Sequence, residues 1–73
     1  MKYSEVVRSC AERMNLLDEH GRLRQLDSLG LIDFVVALEA ATGLQIPSVY
    51  VREDTFESLE SLAEMLEDLE HRR

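Results

Sequence analysis

The sequence predicts an all-α fold, a small four-helix bundle of three main helices and one short one. Three observations carry that expectation. Apolar residues recur at steps of three and four in two separate stretches, residues 3–17 and 59–69. Between them, ten of the thirteen residues 29–41 are apolar, and Gly43 and Pro47 close the run. Finally, the strand-like Val49-Tyr50-Val51 finds no partner strand elsewhere in the chain.

Each element follows from local chemistry. Tyr3, Val7, Cys10, Met14 and Leu17 form one stripe of a first helix from Ser4 to Asn15 or Leu17, with Ser4 as its N-cap. Asp18-Glu19-His20-Gly21 breaks the pattern, and Gly21 suits a left-handed C-terminal position. Residues 22–26 make a short connection in which Leu23 and Leu26 turn inward. The second helix runs from Ser28 to about Thr42. Residues 48–57 read as a loop with one short helical turn, anchored by Phe56. Ser58 caps the last helix, whose stripe is Leu59, Leu62, Ala63, Leu66 and Leu69, and Arg72 and Arg73 complement the negative end of its dipole.

Seventy-three residues predict a single domain over 1–73, near the lower limit for a self-sufficient core. A scaffold of this size leaves no room for a deep catalytic cleft, so a stand-alone enzyme is not expected and no catalytic residues are assigned. Cys10 is the lone cysteine, which fits a reducing interior. No apolar run has membrane-spanning or leader length, so the expected location is the cytoplasm. The net charge is −7, and residues 53–70 hold eight acids and no base. Nucleic acid and anionic membrane would be repelled. The acidity serves either solubility or attraction to partners with basic docking patches, and the expected state is a monomer.

The second helix is too apolar for one buried face. At 100° per residue, Leu31, Phe34, Val35 and Leu38 share one side, while Leu29, Ile32 and Val36 fall on the other, flanked by Asp33 and Glu39. Either that second side docks partners, or the helix is enclosed on all sides or buried in a homodimer. Ser28 at its start has two possible jobs: it caps the helix, or it holds a phosphate over the helix N-terminus.

Asp27-Ser28-Leu29, the helix that passes through Ala37-Leu38-Glu39, and Gly43-Leu44-Gln45-Ile46-Pro47 together resemble the acyl carrier proteins. The resemblance spans nearly the whole chain and implies an acyl-carrier-like four-helix domain. It implies 4'-phosphopantetheine on Ser28, installed by a phosphopantetheinyl transferase whose magnesium ion Asp27 approaches. Leu29, Asp33, Val36 and Glu39 match positions through which the family meets acyl-transfer enzymes and acyl- or aminoacyl-activating ligases. The implied role is carriage of acyl groups as thioesters in fatty-acid-like, polyketide or other secondary-metabolite synthesis. Gly30 and Ala40 stand where carriers of primary fatty-acid synthesis usually have acids, and Asp-Ser-Leu-Gly is similar to D-alanine carriers and other stand-alone carriers. An aminoacyl load therefore stays open, as does a helical interaction module in which Ser28 is only a cap.

Other residues carry blander readings. His20 and His71 with Cys10 lack metal-ligand spacing, so no metal site is expected. Ser28 has no histidine at a fixed local offset, which leaves a hydrolase without a triad. The acids of residues 53–70 lack a calcium-loop pattern and read as a solvated helix face.

Overall fold

The computed structural model describes residues 2–72. Arg73, expected at the end of the last helix, lies outside the described residues. The fold is all-α: α1 (Ser4–Arg13), α2 (Ser28–Thr42) and α3 (Leu59–His71), with one 3-10 turn (Ser48–Tyr50) before α3. Among the described residues there is no strand, and one isolated antiparallel bridge pairs Leu17 with Leu23.

The apolar sides of all three helices meet in one core. Val7, Phe34, Leu38, Leu62 and Leu66 are fully buried, each contributing about 1.5–3 kcal/mol of transfer free energy. Ala11 and Met65 join them, which the sequence stripes did not include. Cys10 is buried among them, as its place on the stripe suggests. α1 packs against both α2 and α3. Phe56 reaches in from the loop before α3 and meets the Phe34 ring edge-on, with centroids 5.9 Å apart.

Two expectations about α1 are corrected. Ser4 is its first helical residue, and Tyr3 occupies the N-cap position without a side-chain cap bond. The helix also stops at Arg13, short of Asn15 or Leu17. Asn15 adopts φ 59°, Leu16 N donates to Ala11 O at 2.8 Å, and Asn15 N donates to Glu12 O at 3.0 Å. Those two bonds close the last turn around a left-handed residue, a place asparagine accepts at lower cost than most side chains.

Gly21 is left-handed, with φ 77°, but within a tight turn and not at a helix end. Asp18 Oδ1 accepts the backbone N–H groups of His20 and Arg22, each at 2.9 Å. The Arg22 N–H, and then that of His20, hold the Asp18 carboxyl below the usual carboxylate range. Arg24 N donates to Leu16 O at 2.7 Å, so the chain doubles back beside the end of α1. Leu23 and Leu26 then pack on the core, half-buried, and deliver the backbone to the start of α2.

Candidate functional site

α2 begins and ends where the sequence places it. Asp27 is the N-cap: its backbone is extended and its Oδ1 accepts Gly30 N at 2.7 Å. At the other end Gly43 has φ 74° and donates to Glu39 O, the left-handed stop that glycine accepts without a Cβ penalty. Leu44 and Ile46 are then buried, which turns the chain away from the helix axis.

Ser28 therefore does not cap the helix. It is the first helical residue, it is exposed, and among the described residues its hydroxyl has no hydrogen-bond partner. The Ser28 and Leu29 amides lie in the first turn, where no intrahelical acceptor exists. An anion bonded to Ser28 Oγ would meet those amides and the positive end of the helix dipole. The residues present thus fit a phosphodiester at this position.

Beside Ser28 runs the apolar strip. Leu29 is 74% exposed, Ile32 54% and Val36 59%, values that exclude enclosure of α2 by its own chain. Their spacing of three and four keeps them on one face, over about 10 Å of helix. Phe34 and Leu38 on the other face are fully buried, with Leu31 and Val35 partly so. Val49, on the 3-10 turn, is a further exposed apolar residue at 68%. The strand-like look of residues 49–51 gave no sign of this; Tyr50 and Val51 pack on the core while Val49 points outward.

The two flanking acids differ. Asp33 is exposed. Glu39 is half-buried, and its Oε2 accepts Ile46 N at 2.8 Å. That bond ties the buried exit segment to the last turns of α2, so Glu39 has a structural task that its charge alone did not reveal.

An open groove of about 590 Å³ adjoins the start of α2. Leu26, Leu31 and Phe56 give it an apolar floor, and Glu53, Asp54 and Glu57 stand among its polar lining, with Arg24 also present. Arg52, through its guanidinium at 2.6 Å, holds the Asp54 carboxyl below the usual range. Among the described residues, no cluster of three or more His, Cys, Asp and Glu side chains has metal-binding geometry, and no helix is long and apolar enough to cross a membrane.

Comparison with protein-family models, with curated proteins and with solved structures returned no match.

Proposed function

We propose that this protein is a carrier: Ser28 bears 4'-phosphopantetheine, and the domain delivers acyl intermediates to partner enzymes without catalysing a reaction itself. One observation carries the reading. The serine of Asp27-Ser28-Leu29 is exposed and unbonded at a helix N-terminus whose capping is done by its neighbour, Asp27. A serine needed only as a cap would spend its oxygen on the first turn, as Ser58 does.

In the priming step Ser28 Oγ forms a bond to the phosphorus of coenzyme A that bears the pantetheine. The pyrophosphate P–O bond breaks, adenosine 3',5'-bisphosphate leaves, and the hydroxyl proton passes to a base of a separate transferase. The attached arm supplies a thiol that holds a carboxylic acid as a thioester. This chain's own residues do the rest. The α2 N-terminus steadies the phosphodiester, and Leu29, Ile32 and Val36 offer apolar docking contacts beside the Asp33 carboxylate.

An aminoacyl load is the second reading, and the groove favours it. Its polar lining has three carboxylates against Arg24, and Asp54 is paired with Arg52. An α-ammonium group would meet attraction there that a plain acyl chain would not.

The test is incubation with coenzyme A and a broad-specificity phosphopantetheinyl transferase, read by intact mass. Wild type gains one phosphopantetheine and Ser28→Ala gains none. An unmodified wild type would leave the helical interaction module as the better description. Loading of the primed protein by acyl-activating or by amino-acid-activating ligases, whichever is efficient, assigns the cargo.

A further inference from the structure

We infer that Gly30 is a positioning residue for modification of Ser28, acting through the Asp27 carboxylate; this rests on the carrier reading. A bare Cα stands at the third position of α2, where glycine weakens a helix relative to alanine. Something at that position must offset the disadvantage. A Cβ built on Gly30 would lie 3.2 Å from Asp27 Oδ1 and 3.6 Å from both Cβ and Cδ2 of Leu26. The two Leu26 distances are ordinary van der Waals contacts and ask for no movement. The exposed Asp27 carboxylate would give, by a few tenths of an ångström.

The cap bond from Gly30 N to Asp27 Oδ1 is 2.7 Å, a length that a charged carboxylate acceptor favours. With no Cβ at position 30, nothing crowds the carboxylate out of that geometry. Oδ1 is committed to that bond, and among the described residues Oδ2 has no partner. The free oxygen and the Ser28 hydroxyl belong to adjacent residues, so the cap fixes one acidic group beside the group to be modified. Gly30 thus gives up helix stability for the placement of Asp27.

The consequence separates a positioning role from a structural one, because the two readouts move in opposite directions. Gly30→Ala should keep or raise the melting temperature. Its initial rate of phosphopantetheine transfer at saturating coenzyme A should fall about three- to tenfold, chiefly in kcat. In the unmodified protein, the hydrogen-exchange protection of the residue-30 amide should fall as well. The same substitution in an Asp27→Ala background, followed by mass to long times, should change the rate by less than twofold. A full-sized loss in that background would mean that Gly30 meets the transferase directly, and would overturn the inference. An unchanged rate or unchanged amide protection in the single variant overturns it too. A wild type that never accepts the group overturns the carrier reading, and the positioning role falls with it.

Discussion

The N-termini of α2 and α3 both present a serine, and the two serines are used in opposite ways. At α3, Ser58 Oγ accepts Ser61 N at 3.0 Å, while Ser58 N donates to Ser61 Oγ at 3.2 Å. Ser61 Oγ also lies 2.8 Å from Thr55 O, a hydrogen bond to the preceding loop. Both hydroxyls are consumed, and both residues are half-buried. At α2 the cap is shifted back by one residue to Asp27, leaving Ser28 exposed with a free hydroxyl. A closed end stabilises the fold; an open end leaves a hydroxyl and two amides without partners in the chain's own first turn. Placement one residue earlier or later in the first turn thus decides whether a serine hydroxyl is spent on the cap or left exposed.

Substitution at the two serines should break or sharpen that contrast most. Ser58→Ala removes the cap and leaves the Ser61 N–H without its side-chain acceptor, which should cost about 1–2 kcal/mol, while leaving modification at Ser28 intact. Ser28→Ala should change stability by less than about 0.5 kcal/mol and abolish the modification. Equal stability losses, measured by denaturant unfolding, would show that Ser28 is structural after all.

The acids of α2 offer a smaller version of the same test. Both Asp33→Lys and Glu39→Lys are expected from the sequence to slow partner turnover with the fold intact. The Ile46 bond changes that expectation for Glu39. Glu39→Lys should cost about 1 kcal/mol through loss of a half-buried charged hydrogen bond, which confounds any kinetic effect. Asp33→Lys is the cleaner variant. It should leave the melting temperature unchanged and slow transferase encounter about three- to tenfold at low salt, with the difference shrinking as salt rises. Salt-independent or unchanged rates would remove electrostatic docking.

The limits of sequence reading fall where backbone and side-chain chemistry diverge. The bounds of α2 were legible, because Ser28 and Gly43 are terminal signals and Pro47 forbids resumption, but the cap itself falls on Asp27, to which the sequence reading gave no capping role. The end of α1 was not. Met14 and Leu17 continue its stripe, but they do so from a turn and a loop that also pack on the core. Periodicity reports burial and cannot tell a helical residue from a neighbouring one that is buried in another conformation. The exposed strip of Leu29, Ile32 and Val36 was legible because a helix has only two sides to offer in so short a chain. The hold of Glu39 on Ile46 was not, since it spans seven residues around a glycine stop.

α1 is a third kind of helix start, with the residues before it tied to the far end of the chain. Tyr3 makes no cap bond, yet its hydroxyl donates to Glu70, and Lys2 Nζ lies 2.8 Å from both Glu70 oxygens. Lys2, then Tyr3, hold the Glu70 carboxyl below the usual carboxylate range, with His71 adding to the effect. Glu70 in turn raises Lys2 above its ordinary value. A depressed carboxylate contributes stability that is complete above its unfolded-state pKa and is lost as pH falls through the lower folded-state value. Glu70→Gln should therefore lower the melting temperature slightly at pH 7. The gap from wild type should narrow below the usual carboxylate range and close at lower pH still. Because Lys2 is solvent-exposed and Glu70 partly so, added salt should also shrink the gap. A difference that persists unchanged in acid would mean that Glu70 acts by packing against Tyr3 and not by its charge, and α1 would then be held by contact alone.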